Sequence, residues 1–156
     1  MKGNLMRMTT KVRYGLRFMI YLGFRYNSKP VQLREVAEQE KISVKYLEQI
    51  IPYFRAVGLI SSKRGTKGGY SLTTAPEKIS LKDIIEPIEG DLKLVDCNGR
   101  DKNGCRLKAT CAARHLWEEA GELVSNYFAS TMLADLVKIY RDKKNRQTDW
   151  GLMFYI

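Results

Sequence analysis

The 156-residue sequence is poor in the side chains on which most enzymes and secreted proteins depend. It contains one histidine, 4 prolines and 3 cysteines. A single histidine, with no paired acids and no nucleophile motif, argues against an enzyme. Three cysteines cannot all pair with one another, which disfavours a secreted scaffold held by disulfides.

Long apolar runs are also missing. No run approaches the ~18 residues of a membrane helix, and the N-terminus has no apolar signal-peptide segment. The sequence therefore predicts a cytoplasmic protein with no membrane partner. A hydrophobic fraction of 44% and a charged fraction of 28% are typical of a folded domain.

Acidic residues are absent from residues 1–34, and the charge is unevenly spread. Residues 1–75 hold 14 lysines and arginines against 4 acids, whereas residues 76–156 hold 13 of each. The entire net charge of +10 therefore lies in the first half. This asymmetry predicts a polyanionic partner for that half, with DNA ahead of an anionic membrane. A solvated basic surface is the alternative.

The hydrophobic spacing of the first half predicts three helices. Ser43 is placed to cap the third helix, and Pro52 is expected to bend that helix or end it early. The predicted helices span about residues 9–26, 33–39 and 44–56.

The period then changes to that of short strands. Residues 59–62 and 70–73 read as two strands around a basic, glycine-rich tip at 63–69. Three helices followed by such a hairpin predict a winged helix-turn-helix domain over residues 8–76. The fold class is mainly α with a small β-hairpin wing.

The second half is predicted to build an assembly. Residues 77–111 form a short helix, opened by a Ser80–Asp83 capping box, and a loop that carries the cysteines. One long helix at 112–141 has an apolar stripe, which pairing with a second copy would bury. Folding back on its own domain is the alternative. The tail at 142–156 is expected to be disordered or to dock.

The second helix of a helix-turn-helix lies in the major groove of DNA. Glu48 could accept from the amino group of cytosine, and Gln49 could pair with adenine. For Glu48, an ion pair on the helix surface is the alternative. The candidate base-reading residues are Ser43, Lys45, Tyr46, Glu48 and Gln49.

The predicted wing and first helix supply basic side chains. Arg64 at the tip could enter a minor groove, with Lys67 beside it. Contacts to phosphates would set affinity without reading sequence. The candidates for such contacts are Lys11, Arg13, Arg17 and Arg55.

The cysteines form one candidate metal site. Cys97, Cys105 and Cys111 are separated by seven and five residues, unlike the tight pairs that zinc prefers. An iron–sulfur cluster tolerates such looping and is the favoured group. Zinc and redox-active thiols are the alternatives. His115 is one candidate for the fourth ligand, with a packing or surface role as its alternative; the other candidates are Asp96, Asp101, Glu118, Glu119, solvent and a small thiol.

Several motifs in order resemble the IscR/NsrR/CymR-type family of bacterial winged-helix regulators. They are TTKVRYGLR at 9–17, ISVKYLEQ at 42–49, RGTKGGY at 64–70 and LADL at 133–136. The resemblance implies a homodimer with crossing C-terminal helices that binds a DNA operator, read through Ser43 and Glu48 with Arg64 in the wing. In the iron–sulfur branch, the three cysteines imply a cluster, of the 2Fe-2S type ahead of 4Fe-4S.

Three positions depart from the family pattern. Arg114 occupies the place of the ligand histidine of the IscR type, and His115 lies one residue further. Arg13 replaces the early aspartate of the NsrR type. Lys41 replaces a glycine common in the turn, which predicts strain if its φ angle is positive.

Overall fold

The computed structural model describes residues 8–95, 105–107 and 109–153, and side chains as far as residue 146. This part of the chain forms six α-helices, a two-stranded antiparallel hairpin and one turn of 3-10 helix. The mainly helical fold with a β wing is thereby confirmed. The helices are α1 Thr10–Phe24, α2 Leu33–Glu40, α3 Val44–Ala56, α4 Leu81–Glu89, α5 Ala112–Ser130 and α6 Leu133–Met153; the strands are β1 Ile60–Lys63 and β2 Gly69–Leu72.

The first three helices lie where the sequence predicts them. The Ser43 side chain accepts from the backbone N–H of Tyr46 at 3.2 Å, which confirms the cap of α3. Pro52, however, does not end this helix, because α3 continues through it to Ala56. The expectation of an early end is therefore wrong.

The wing is anchored to the segment that precedes α2. Its strands pair in register from Ile60 opposite Leu72 to Lys63 opposite Gly69. The N–H and C=O groups of Val31 and Tyr70 exchange two hydrogen bonds of 2.9 Å. Gly69 has φ +150°, and a Cβ there would overlap the Val31 carbonyl. This glycine therefore serves the attachment of the wing.

One core joins α1, α3, α4 and α6. The Phe18 and Phe54 rings stack with centroids 6.2 Å apart, and both side chains are fully buried. A Cβ on Gly15 would lie 2.9 Å from the Phe54 ring and 2.8 Å from Ile88, so only glycine allows α1 this close to α3 and α4.

The single long helix predicted over 112–141 is wrong, because the structure breaks it into α5 and α6. Thr131 is extended, with φ −93° and ψ 123°. Its carbonyl accepts from the N–H of Leu81 at 2.9 Å, and the N–H of Leu133 donates to the Ile79 carbonyl at 2.8 Å. The break thus exchanges helical hydrogen bonds for a bridge to the chain entering α4.

The two helices after the cysteines differ in burial: α5 carries exposed apolar side chains, whereas α6 packs on the first half of the chain. α6 folds back on α1, where the Val137 side chain would lie 2.6 Å from a Cβ on Gly23. Leu133 and Val137 are buried there. α6 continues to Met153, so disorder is a wrong expectation for 142–153, while residues 154–156 lie outside the described chain.

Candidate nucleic-acid interface

The recognition helix α3 has one buried and one exposed face. Leu47, Ile50 and Phe54 are buried in the core. Lys45, Glu48 and Gln49 are exposed together on the opposite side. Three of the five candidate base-reading residues, all with long polar side chains, therefore share one solvent-facing surface.

The other two candidates on α3 have structural partners as well. Ser43 is exposed, but its hydroxyl already accepts from the backbone N–H of Tyr46. Tyr46 is half-buried, with its ring edge-on to Tyr14 at 5.3 Å. Both can still reach a ligand, but each first holds the start of α3 in place.

Glu48 is an exposed carboxylate in a basic region. Two of the four acids of the first half are neutralised within the fold: Glu35 pairs with Arg25, and Glu40 pairs with Arg17. Glu48 forms no ion pair with any residue in the described ranges. The alternative interpretation of Glu48, a surface ion pair, therefore finds no partner in this part of the chain.

Basic side chains are also exposed on α1, on α3 and in the wing. Arg13, Arg55, Arg64 and Lys67 are exposed. Lys11 is half-buried: its Nζ donates to the Tyr53 hydroxyl at 3.2 Å and lies 5.4 Å from the centre of that ring. These side chains offer several cations to a polyanion.

The wing tip is held to α2. The Gln32 side chain donates to the Thr66 carbonyl at 3.1 Å. Together with the Val31–Tyr70 bridge, this bond steadies the loop that presents Arg64 and Lys67.

Arg17 is more than a free cation for phosphate. Its Nε donates to Glu40 Oε2 at 3.0 Å, and its Nη2 donates to the Glu40 backbone carbonyl. Its guanidinium also lies 5.7 Å from the centre of the Tyr14 ring. The predicted phosphate contact by Arg17 stays a prediction, and any such contact would share the side chain with this internal role.

Sequence reasoning missed the carboxylate–tyrosine pairs beside the helix-turn-helix. Tyr21 donates to Glu35 at 2.8 Å, and Tyr140 donates to Glu40 at 2.8 Å. Burial, followed by the hydrogen bond and charge of Glu35, raises the pKa of Tyr21 to about 12. Burial and Glu40 raise the pKa of Tyr140 in the same way. No sequence signal relates residues 40 and 140, because 100 residues separate them.

The cysteine site is described in part. Cys105 is exposed and Cys111 is half-buried at the N-cap of α5; both are free thiols. Cys97 lies outside the described residues. Within the ranges that the structure covers, no three metal-ligating side chains come together.

His115 points its side chain into solvent and belongs to no group of three metal-ligating side chains among the described residues. Its side chain is 78% exposed, and its Nε2 lies 3.6 Å from Glu119 Oε1, one turn further from Cys111 along α5. Arg114, which occupies the family's histidine position, pairs with Glu118 at 2.6 Å.

A family model described as "Rrf2: Iron-dependent Transcriptional regulator" matches residues 8–139. The chain belongs to the Rrf2 family. Among Rrf2-type relatives, the protein rrf2 of Nitratidesulfovibrio vulgaris is 33% identical over 133 residues, which cover 85% of this chain and 88% of that protein. The regulator IscR of Erwinia tasmaniensis is 33% identical over 132 residues, which cover 85% of this chain and 79% of that protein.

Solved Rrf2-type structures agree with this fold. CymR, the global cysteine regulator of B. subtilis, is 33% identical with a TM-score of 0.74, over 86% of this chain and 98% of that one. IscR of T. potens is 32% identical with a TM-score of 0.71, over 96% of this chain and 97% of that one.

The Rrf2 assignment establishes the broad function. The chain is a DNA-binding transcription regulator, and its relatives are regulators rather than enzymes, as the sequence predicts. Among the residues that the structure describes, no helix is long and apolar enough to cross a membrane.

Proposed function

We propose that this Rrf2-family regulator binds a roughly palindromic operator as a homodimer, with α3 in the major groove and the wing on an adjacent minor groove. The observation that carries the proposal is the exposed polar face of α3. Lys45, Glu48 and Gln49 face solvent together, and Glu48 has no ion-pair partner in the described chain. A free carboxylate beside phosphates is unfavourable unless a base donates to it, which favours reading over plain adhesion. Such a regulator acts on the chromosome, so the proposed location is the cytoplasm.

The exposed apolar face of α5 supports the homodimer. Leu116, Leu123 and Tyr127 are 57%, 71% and 64% exposed, although they belong to one apolar stripe. An apolar stripe of this kind marks an interaction surface. A second copy of the chain presents the same stripe, and two stripes related by a twofold axis cover each other.

The cysteines support an iron–sulfur cluster held by Cys97, Cys105 and Cys111. Thiols are the donors that such a cluster requires, and Cys111 begins α5, whose helix dipole favours an anionic group. When bound, the cluster supplies a redox- and iron-sensitive group. The family description, "iron-dependent", and the IscR relatives favour this function. The 2Fe-2S type is part of the proposal, and His115 is the fourth ligand to be tested, although its side chain is 78% exposed and lies 3.6 Å from Glu119.

A regulator of the same family without a cluster is the second candidate. The neighbouring structures include CymR of Staphylococcus aureus in an oxidized form, 34% identical with a TM-score of 0.68. Cys105 is an exposed free thiol, open to oxidation or to a partner protein. In this version thiol chemistry, rather than iron, changes operator binding.

The reading role of α3 is tested with the Glu48→Ala variant. An operator is first selected by the wild-type protein from random duplex DNA, and its variants at each position are then titrated. We expect Glu48→Ala to relax discrimination at one base position by ~1–3 kcal/mol.

Arg55→Ala is the matched control, because Arg55 is exposed and, unlike Arg17, has no acidic partner in the described chain. It should weaken all sequences alike and reduce the dependence of affinity on salt. Uniform weakening by both variants contradicts base reading by Glu48. A wild-type protein that protects no site at physiological salt contradicts operator binding altogether.

The cluster is tested by counting iron and acid-labile sulfide per chain after purification without oxygen. The wild-type protein should be brown, and Cys105→Ala should be colourless while staying a folded dimer. Iron retained in His115→Ala removes His115 from the ligand set. A wild-type protein that stays colourless after reconstitution favours the cluster-free regulator.

A further inference from the structure

Three helices meet at one buried carboxylate. Glu40, the last residue of α2, is 6% exposed. Arg17 of α1 donates to one of its carboxylate oxygens at 3.0 Å, and Tyr140 of α6 donates to the other at 2.8 Å. A buried charge with two such donors holds both partners firmly, because losing either leaves the charge poorly compensated.

This carboxylate lies where the helix-turn-helix turns. Lys41, the next residue, is left-handed with φ 52°, and α3 begins three residues later at Val44. Arg17 also donates to the backbone carbonyl of Glu40. Arg17 of α1 therefore holds the backbone at the end of α2, while Tyr140 of α6 holds the side chain of the same residue.

The contact from α6 is well defined. The Tyr140 ring packs edge-on to Phe24 and Tyr21, with centroids 5.3 Å and 6.3 Å away. A second bond joins the same two helices, from Lys144 Nζ to Gln39 Oε1 at 3.1 Å. The α6 residues of these two contacts, Tyr140 and Lys144, lie beyond residue 139, where the match to the family model ends. The polar link from α6 to the reading head, residues 8–76, is thus outside that match, whereas the packing of Leu133 and Val137 on α1 lies within it.

We propose that Glu40 is a positioning residue through which α6 sets the orientation of the recognition helix α3, so that half-site spacing in the operator is read through the Tyr140–Glu40 hydrogen bond. The inference rests on the proposed dimer. In a dimer, the two recognition helices must match half-sites about one DNA turn apart. A small rotation of each reading head relative to α6 changes that separation.

The test compares Tyr140→Phe with Tyr21→Phe in the full-length protein. Both changes remove one hydroxyl that donates to a carboxylate at 2.8 Å and keep the aromatic ring. Of the two hydroxyl bonds, only the one from Tyr140 joins α6 to α2, because the Tyr21–Glu35 bond lies between α1 and α2. Affinities are measured for the selected operator and for versions with one base pair added to or removed from the spacer.

We expect Tyr140→Phe to lose about tenfold of the preference for the selected spacing, the effect of one hydrogen bond to a charged group. Tyr21→Phe should keep the wild-type preference. Glu40→Ala removes the acceptor of the same hydrogen bond, should lose the spacing preference at least as far as Tyr140→Phe, and serves as the second variant. Thermal unfolding verifies that each variant is folded.

The outcomes separate this inference from the proposed function. Unchanged spacing preference in Tyr140→Phe, or equal changes in both tyrosine variants, overturns the positioning role and leaves operator binding intact. A wild-type protein that selects no operator overturns both.

Discussion

The reading head and α5 differ in how far their apolar side chains are buried. In the head, large apolar side chains such as Phe18 and Phe54 are fully buried by neighbouring elements of the same chain. On α5, Leu123 and Tyr127 remain 71% and 64% exposed. The first region is closed on itself, whereas the second needs a further surface to cover its stripe.

The two regions also differ in charge. The first 75 residues carry the whole net charge of +10, and two of their four acids are occupied by internal ion pairs. The rest of the chain is neutral. This difference separates the partners: a polyanion suits the head, and an apolar surface suits α5.

The largest effect is expected from a substitution in the buried core of the reading head. Phe54→Ala removes a fully buried ring that stacks on Phe18. The free energy of unfolding should fall by about 3–5 kcal/mol, because lost burial and the cavity add up. Urea unfolding measures this change, and the difference in free energy between variant and wild type should be the same at every protein concentration. A loss below about 1 kcal/mol would show that the core closes over the gap.

The second prediction breaks the open region. Leu123→Asp should weaken the proposed dimer by at least about 2 kcal/mol, because a charge would enter an apolar contact. Sedimentation equilibrium measures the association. Asn126→Ala, an exposed polar change on the same helix, is the control and should leave association unchanged. An unaltered dimer in Leu123→Asp would move the interface away from this stripe.

The smallest expected effect is on stability, and it compares two lysine positions within the reading head. Lys41 is left-handed with φ 52°, so the strain predicted for this position is present. Lys41→Gly should stabilise the protein by about 1 kcal/mol, because glycine adopts this conformation without a Cβ clash. Lys45→Gly, the same change inside α3, should instead destabilise by about 1 kcal/mol. Thermal unfolding of both gives the signs; a loss in Lys41→Gly would mean that the lysine side chain stabilises the turn.

Much of the head could be predicted because its signals are local. Ser43 caps α3 within one turn of helix, and Ser80 and Asp83 form the predicted capping box at the start of α4. The strands of the wing fall within one residue of their predicted bounds. The exposed reading face of α3 follows from the same 3.6-residue period.

Long-range contacts defeated prediction elsewhere. The apolar stripe after the cysteines has a helical period throughout, and that period gives no sign of the break at Thr131. That break depends on two hydrogen bonds to the chain around Ser80, about fifty residues earlier: the Thr131 carbonyl accepts from the N–H of Leu81, and the N–H of Leu133 donates to the Ile79 carbonyl. The sequence left two interpretations of this stripe open: pairing with a second copy, or folding back on its own domain. In the structure α6 folds back on α1, and α5 keeps its apolar face exposed.

The sequence by itself determined the first four helices, the caps at Ser43 and Ser80, the wing and the concentration of positive charge, because each depends on neighbours within a few residues or on composition. Only the tertiary structure decided that Glu48 has no ion-pair partner among the described residues while Glu40 is engaged. Both are glutamates on helices of a basic region, and their roles differ because Arg17 and Tyr140 reach one carboxylate and not the other. Such contacts follow from how whole helices pack, which no local pattern specifies.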